Sequence, residues 1–443
     1  MLKRILAKRG GGRAAQGGPA SSGIPTEDVR ADEDVPESAW RIDKFPQYLQ
    51  LHLQRAVADR IGVRNPFFLV NDGVATNTTV IDGREVVNFA GYNYLGLNGH
   101  PRVVGAAAEA AAAWGTSASA SRLVSGEKPP HRALEKAIAD LHGTDDAVAF
   151  VSGYTTNVTV VATLCGPRDL VAHDRLIHNS AVQGARLSGA TRHAFPHNDW
   201  QALDTFLTEN RRHYERVLII TEGLFSMDGD VCPLDKLIEL KRRHKALLMV
   251  DEAHSIGSLG AQGRGVGEHF GVAASDVDVW MGTLSKTLAG CGGYIAGCSA
   301  LVELLKFSAN GFIYSVGMPP PMAAASAEAI ALLRAEPERV ARLQANGRLF
   351  LAEAKAAGLD TGLSEGYNVV PVIIGKSLTA GRLSNALLDR GFSVQPVVYP
   401  AVEEKLARLR FFITADHTAE QIRATVAAVA EELARLTSEA DEG

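Results

Sequence analysis

The 443-residue sequence has few cysteines, no long apolar run and no excess of basic residues. The four cysteines, Cys165, Cys232, Cys291 and Cys298, show no CxxC spacing, which predicts buried thiols in a reducing compartment and argues against a metal centre. No stretch approaches the roughly 18 uninterrupted apolar residues of a membrane helix, so we expect a soluble, cytoplasmic protein. Lys and Arg number 45 against 50 Asp and Glu, and this net charge of -5 does not favour nucleic acid as a partner.

Two catalytic signatures are also missing. No GxGxxG segment follows an apolar run of strand length, which leaves nicotinamide binding without support. No GxSxG turn exposes a serine, which argues against Ser-His-Asp hydrolysis. The enzyme classes that depend on these motifs are therefore disfavoured.

The first 38 residues differ in composition from the rest. Five Lys and Arg residues and no acidic residue occur in the first 13 positions, followed by a Gly/Ala/Ser stretch and an acidic patch. This segment has too little apolar surface to offset the entropy of ordering, so we predict a disordered tail. An organelle presequence or a docking segment is the alternative.

The remaining chain predicts an α/β fold. Helical spacing of apolar residues begins at about position 38, and residues 78–81 and 85–89 predict two strands joined by the hairpin cue Asp82-Gly83. From about 100 to 318, helical stretches alternate with short apolar runs, which predicts a mostly parallel sheet flanked by helices. These runs are 147–151, 169–172, 217–221, 247–250, 277–281 and 294–296. Further strand-like runs at 369–374 and 411–413, between helices, predict a smaller α+β domain.

This pattern divides the chain into five predicted parts. They are the tail (1–38), an N-terminal helix and hairpin segment (39–99), a large domain (100–318), a connecting helix (319–345) and a small C-terminal domain (346–443).

Polar residues follow four of the predicted strands, in segments 152–154, 222–228, 251–254 and 283–286. Ligands of open α/β sheets gather at the carboxyl ends of the strands, so we expect these segments to converge on a cofactor site. Lys286 follows Asp251 by 35 residues, and each comes shortly after an apolar run. A lysine near an aspartate is more often a solvated surface pair. Here its strand-end position favours pyridoxal 5'-phosphate, which needs an amine to hold its aldehyde and a carboxylate to keep its pyridine nitrogen protonated.

Other residues near these ends have the chemistry to complete such a site. Ser152, Gly153 and Tyr154 lead into a predicted helix whose backbone N–H groups, with the Thr283 hydroxyl, suit a phosphate, although a capped turn is the simpler interpretation. His254 and Ser226 are candidates for the phenolic oxygen of the ring. His178 is the candidate for stacking on the ring face. Three further histidines, His131, His193 and His197, are expected to be ordinary hydrogen-bonded residues.

Several sequence blocks resemble the α-oxoamine synthase family of fold-type I pyridoxal-phosphate enzymes over roughly residues 40 to 435. The blocks are 88–97 (NFAGYNYLGL), 221–230 (TEGLFSMDGD), 250–255 (VDEAHS), 282–286 (GTLSK), 408–411 (RLRF) and 415–418 (ADHT). The resemblance implies the fold-type I architecture, a mostly parallel central sheet flanked by helices with a smaller C-terminal domain. It also implies a homodimer with the site at the subunit boundary.

The resemblance assigns a role to each candidate residue. Lys286 is the Schiff-base lysine, Asp251 the partner of the pyridinium nitrogen and His178 the stacking residue. The remaining implied cofactor contacts are Ser152, Gly153, Tyr154, Glu222, Ser226, His254, Thr283 and, from the neighbouring subunit, Ser315. Asn93 and Arg410 are implied to receive the amino-acid carboxylate, which a guanidinium matches with two hydrogen bonds.

The implied activity is a decarboxylative condensation of a small α-amino acid with an acyl thioester, which yields an α-amino ketone. Glycine, alanine and serine are the candidate amino acids, and the acyl donor is a CoA thioester or an acyl-carrier protein, as in polyketide-associated members. The alternatives are another fold-type I reaction such as transamination, or a catalytically silent partner subunit.

Overall fold

The computed structural model describes residues 35–60 and 62–441, so most of the predicted tail lies outside the described residues. The chain divides at Val63 into two units, each considered by itself. The first unit contains short 3-10 turns at Glu37–Ala39 and Ile42–Lys44 and helix α1 (Pro46–Arg60). This helix confirms the helical spacing seen from position 38 onward.

The second unit is built around a seven-stranded sheet. Its strands are β3 (Asp146–Phe150), β4 (Leu170–Asp174), β5 (Thr191–Phe195), β6 (Val217–Glu222), β7 (Leu247–Asp251), β8 (Val279–Thr283) and β9 (Gly293–Gly297). Their order is β3-β9-β8-β7-β6-β4-β5, and only β9 runs against its neighbours. The predicted mostly parallel sheet is therefore confirmed.

Helices cover both faces of this sheet. They are α2 (Pro101–Trp114), α3 (Pro129–His142), α4 (Gly153–Leu164), α5 (Asn179–Ser188), α6 (Trp200–Asn210), α7 (Leu234–His244), α8 (Val266–Phe270), α9 (Ser299–Ser308), α10 (Asn310–Ile313), α11 (Pro320–Ala335) and α12 (Glu338–Ala356). Alternate residues of one strand enter different cores: Leu218 and Ile220 pack in one, and Ile219 in the other. Burial on both faces explains why these strands are continuous apolar runs.

Two small sheets accompany the large one. β1 (Thr78–Ile81) and β2 (Arg84–Asn88) form the predicted hairpin, in which Asp82 and Gly83 both have positive φ angles of 50° and 73°. β2 also pairs with β11 (Phe392–Ser393), which joins the hairpin to the C-terminal segment. The C-terminal segment contains β10 (Val369–Ile373), α13 (Ser377–Asp389), β12 (Gln395–Val397), β13 (Arg408–Phe412) and α14 (Ala419–Asp441). Its three strands form the other small sheet, in the order β10-β13-β12.

The structure corrects part of the cysteine prediction. Cys165 and Cys232 are buried as expected, but Cys291 and Cys298 are exposed. Cys291 lies between two glycines in the loop from β8 to β9, and Cys298 lies between β9 and α9. Both cysteines are next to apolar strands in the sequence but lie outside them. The apolar residues beside them therefore did not predict that their thiols are exposed. None of the described helices combines the length and the apolar character that crossing a bilayer requires.

The sheet places three polar side chains at one edge. Glu222, Asp251 and Thr283 are the last residues of the neighbouring strands β6, β7 and β8. Glu222 and Asp251 are register partners in the parallel ladder, so the two carboxyl groups leave the sheet side by side.

Candidate active site

A cavity of about 240 Å³ opens at the carboxyl ends of β3, β6, β7 and β8. Ten of the predicted site residues line it: Ser152, Gly153, Tyr154, His178, Glu222, Ser226, Asp251, His254, Thr283 and Lys286. Three others, Asn93, Ser315 and Arg410, are outside this lining. The convergence expected from the strand ends therefore occurs within one chain.

The amine of Lys286 lies in a buried chain of hydrogen bonds. Its Nζ atom is 2.9 Å from Nε2 of His254, and Nδ1 of His254 is 2.8 Å from the Tyr94 hydroxyl. Burial, reinforced by the nearby cations, lowers the pKa of His254 well below its usual range, so the ring is neutral. The Lys286 ammonium then donates to Nε2, and the proton on Nδ1 is donated to Tyr94.

Burial also lowers the pKa of Lys286, to about 8, although attraction to Asp251, and to Glu222 when that group is ionised, opposes this shift. The amine therefore loses its proton closer to neutral pH than an exposed lysine does. Its Nζ atom lies 5.6 Å from the centre of the Tyr92 ring, at the wall of the cavity. This combination suits a lysine that acts as nucleophile and base.

Asp251 is held by two donors. Oδ2 accepts a 2.8 Å hydrogen bond from the Asn157 amide, and Oδ1 accepts the N–H of Ala253 at 3.0 Å. The Asn157 amide nitrogen also lies 2.9 Å from Oγ of Ser180. Asn157 was not predicted from the sequence, although a polar residue buried in the largely apolar helix α4 is a usable signal. The two donors fix the orientation of the Asp251 carboxylate.

Glu222 has a different environment from its neighbour. Its Oε2 accepts the N–H of Ser226 at 3.0 Å, but Oε1 is buried with no partner among the described residues. Burial, with repulsion from Asp251 as the next cause, raises the pKa of Glu222 to about 8. At neutral pH Glu222 therefore carries a proton, beside the hydrogen-bonded carboxyl group of Asp251.

His178 is linked to the Asp251 carboxylate through side chains. Its Nδ1 lies 2.7 Å from Oγ of Ser180, the hydroxyl that also contacts Asn157. His178 is the N-cap of α5, and the edge of the Tyr154 ring approaches it with ring centres 6.2 Å apart. Burial lowers the pKa of His178, so the imidazole presents a neutral face to the cavity.

The start of α4 forms a candidate phosphate site. Ser152 is the N-cap residue, and a Cβ at Gly153 would lie 2.9 Å from Oγ1 of Thr283, closer than packing permits. The absence of a side chain at Gly153 therefore leaves room for the Thr283 hydroxyl beside the start of this helix, where N–H groups can bind an anion. Ser285 adds a second hydroxyl, 3.2 Å from that of Thr283.

Arg410 lies beside the cavity. Its Nη1 donates to the carbonyl of Ser226 at 2.9 Å, and the guanidinium carbon lies 4.6 Å from the centre of the Phe412 ring. Its Nε is buried without a partner among the described residues. One edge of the guanidinium is thus left to bind an anion.

The other two residues outside the lining have local contacts. The Asn93 side chain accepts the N–H of Asn98 at 3.0 Å and donates to the carbonyl of Ala75 at 3.3 Å. The Ser315 hydroxyl donates to the carbonyl of Val316 at 3.2 Å. Within this chain, Asn93 links its loop to the segment at Ala75, whereas the contact of Ser315 is local.

Comparisons with known proteins agree with this geometry. Residues 84–429 match the family described as aminotransferase class I and II. The 8-amino-7-oxononanoate synthase of Symbiobacterium thermophilum is 43% identical over 80% of this chain and 89% of its own length. The enzyme of that name from Geobacter sulfurreducens is 44% identical over 81% of this chain and 91% of its own length.

Solved structures resemble the chain over most of its length. A serine palmitoyltransferase of Sphingomonas wittichii superposes with a TM-score of 0.85 and 29% identity, covering 89% of this chain and 98% of its own. The 8-amino-7-oxononanoate synthase of Francisella tularensis gives a TM-score of 0.67 and 26% identity, with 79% and 98% coverage.

Proposed function

We propose that this chain is a pyridoxal 5'-phosphate-dependent acyltransferase. The premise is that it belongs to the aminotransferase class I and II family and, within that family, to the α-oxoamine synthases. It condenses a small α-amino acid with an acyl thioester and releases an α-amino ketone, CO2 and the free thiol. The observation that carries this proposal is the presence of the Lys286 amine and the Asp251 carboxylate in one cavity.

The residues present fit the cofactor. The amine of Lys286 suits the aldehyde, the Asp251 carboxylate suits a protonated ring nitrogen, and the start of α4 with Thr283 suits the phosphate. His178 suits one ring face, and Ser226 with His254 suits the phenolic oxygen. When bound, pyridoxal phosphate supplies a cationic ring that delocalises the negative charge left at Cα of the amino acid.

Lys286 is the base in this proposal. Its lowered pKa, near 8, provides unprotonated amine to remove the Cα proton, and His254 holds Nζ in place at 2.9 Å. The Asp251 carboxylate, which two hydrogen-bond donors hold in place, provides the negative charge that the ring nitrogen requires. The neighbouring Glu222, whose pKa is raised to about 8, is neutral.

Arg410 receives the carboxylate of the amino acid. One of its terminal nitrogens is held by the Ser226 carbonyl, while its Nε has no partner among the described residues and is left for the substrate. A fixed carboxylate orients the Cα–H bond toward Lys286 before CO2 is lost. His178 then polarises the thioester carbonyl as the new carbon–carbon bond forms.

The protein acts as a cytoplasmic homodimer in this proposal. Ser315 and Asn93 do not line the cavity of their own chain, and exposed apolar side chains flank Ser315, with Tyr314 at 84% and Val316 at 49% exposure. A second copy that covers this surface would bring Ser315 to the phosphate end of the neighbouring cavity.

A substrate scan tests the proposed reaction. The cofactor-loaded enzyme is offered glycine, alanine or serine, each with acyl-CoA or acyl-carrier thioesters of several chain lengths. We expect at least one pair to release ketone, CO2 and thiol in equal amounts, measured by mass spectrometry and carboxyl-labelled amino acid. Formation of a keto acid without release of CO2 or thiol would instead indicate transamination.

The phosphate site leads to a separate prediction. Gly153→Ala should weaken the affinity for pyridoxal phosphate by about tenfold, the equivalent of one charge-assisted hydrogen bond, because the new Cβ displaces Thr283. Titration of the cofactor-free protein measures this. Gly166→Ala is the matched control, since its Cβ would meet nothing nearer than 3.8 Å. Unchanged affinity in both Gly153→Ala and Thr283→Val would place the phosphate elsewhere.

A further inference from the structure

A buried charge cluster joins two loops that border the cavity. His197 lies between two carboxylates: its Nδ1 is 3.0 and 3.1 Å from the two oxygens of Asp174, and its Nε2 is 2.8 Å from Oδ2 of Asp230. The side chains of His197, Asp174 and Asp230 are only 8%, 1% and 8% exposed. We call these three residues the His197 clamp. None of them lines the cavity.

The hydrogen bonds of the clamp determine its charge. A carboxylate only accepts, so each ring nitrogen must donate, and this requires the doubly protonated, cationic imidazole. Asn198 reinforces both sides, since its N–H donates to Asp174 and its amide nitrogen donates to Asp230, each at 2.8 Å. The clamp therefore contains one positive and two negative charges, so removal of the cation leaves two buried carboxylates without it.

Both acidic residues also fix a loop, Asp174 through its carboxylate and Asp230 through its backbone carbonyl. Asp174 ends β4 and accepts the N–H of Leu176 at 2.8 Å, at the start of the loop that delivers His178. Asp230 closes the loop that delivers Ser226, because its carbonyl accepts the N–H of Phe225 at 2.9 Å. The Phe225 ring also packs edge-on against the His197 ring, with centres 4.5 Å apart.

We propose that His197 is a positioning residue whose positive charge holds the His178 loop and the Ser226 loop at the separation that the reaction requires. This inference goes beyond the expectation that His197 is an ordinary hydrogen-bonded histidine, and its catalytic consequence rests on the proposed function. The Ser226 carbonyl holds Arg410, so the clamp also sets the position of the carboxylate-binding guanidinium relative to His178.

The electrostatics of the clamp agree with this role. Hydrogen bonds and charge attraction from Asp174 and Asp230 overcome the effect of burial and raise the pKa of His197 to about 10. Two further titratable groups lie near the clamp. Cys232 interacts with both carboxylates, and burial raises the pKa of its thiol, so it stays neutral. The Glu365 carboxylate accepts the N–H of Val231, next to Asp230, at 2.9 Å. Since the folded pKa exceeds the unfolded value of about 6.5, the stabilisation is complete below pH 6.5 and is lost as pH rises toward 10.

The test compares His197→Gln with the double variant His197→Gln/Asp230→Asn. The first removes the cation and should lower kcat by about 10- to 100-fold, as expected for reacting groups misplaced by a fraction of an ångström to about 1 Å. The second also removes one buried negative charge and should recover most of the loss. His193→Gln is the matched control, because His193 stacks on Phe206 away from both loops.

Two measurements on the cofactor-free protein do not depend on the reaction. Hydrogen exchange in segments 175–178 and 223–231 should accelerate in His197→Gln and slow again in the double variant. The difference in melting temperature between wild type and His197→Gln should narrow as pH rises from about 6.5 to about 10.

The outcomes separate the two proposals. Faster exchange in both loops, with no condensing activity in the wild type, would support the clamp and refute the proposed function. The clamp would be refuted if His197→Gln kept the wild-type hydrogen-exchange rates and kcat. It would also be refuted if the double variant folded but recovered neither the slow exchange nor the kcat.

Discussion

Replacing Lys286 by alanine should lower the condensation rate by about 10²- to 10⁴-fold, the usual contribution of a positioned general base. The buried amine is 2.9 Å from His254, and none of the other residues that line the cavity is a lysine. The variant therefore loses both the group that bonds the cofactor aldehyde and the base for the Cα proton. Purified Lys286→Ala should bind pyridoxal phosphate only non-covalently.

Borohydride reduction measures the covalent part of this prediction. After reduction and digestion of the wild type, the cofactor should be attached to the peptide that contains Lys286. Lys286→Ala should yield no modified peptide, and Lys286→Arg should behave in the same way, because a guanidinium keeps its proton and charge at working pH.

Lys136→Ala is the control for this experiment. Lys136 pairs with Asp140 on the surface of α3, and its side chain is 76% exposed, so its loss should leave activity unchanged. If Lys286→Ala made product at the wild-type rate, or if another lysine carried the reduced cofactor, the proposed site would be wrong.

The sequence predicted the interior of the fold better than its edges. Strands β6, β7 and β8 are buried on both faces, so each is a continuous apolar run that is easily recognised in the sequence. β5 was missed because it is the last strand of the sheet, and its sequence TRHAF is largely exposed. β11 and β12, with two and three residues, are too short for a periodic pattern.

The active site shows the same division between local and distant information. Asp251 and Lys286 were predicted because each comes shortly after an apolar run in the sequence. The contact between Tyr94 and His254 joins positions 160 residues apart, so only the folded chain shows that the tyrosine hydroxyl fixes the proton on the histidine. The prediction that His197 is a hydrogen-bonded histidine is confirmed. Its two carboxylate partners come from different loops, so they could not be inferred from the sequence around His197.

Asp251→Asn should lower kcat by about 10²- to 10³-fold, comparable to the loss of a preorganised electrostatic group in other enzymes. The substitution removes the negative charge that the ring nitrogen requires. It also places an amide where both Asn157 and the N–H of Ala253 donate, so one asparagine nitrogen must face another donor. Exchange of the Cα proton of the amino acid with deuterated solvent, followed by NMR, should slow with kcat because it reports the same charge stabilisation.

Glu222 determines how complete this loss is. Repulsion from Asp251 helps to raise the pKa of Glu222, so the neutral residue at position 251 lets Glu222 ionise more readily beside the cavity. Residual activity of Asp251→Asn should therefore fall further when Glu222→Gln is added, whereas Glu222→Gln alone, an isosteric neutral group, should have a smaller effect. Asp140→Asn on the surface of α3 is the control. Wild-type proton exchange in Asp251→Asn would show that Asp251 does not hold the ring nitrogen, and the assignment of the whole cavity would fail.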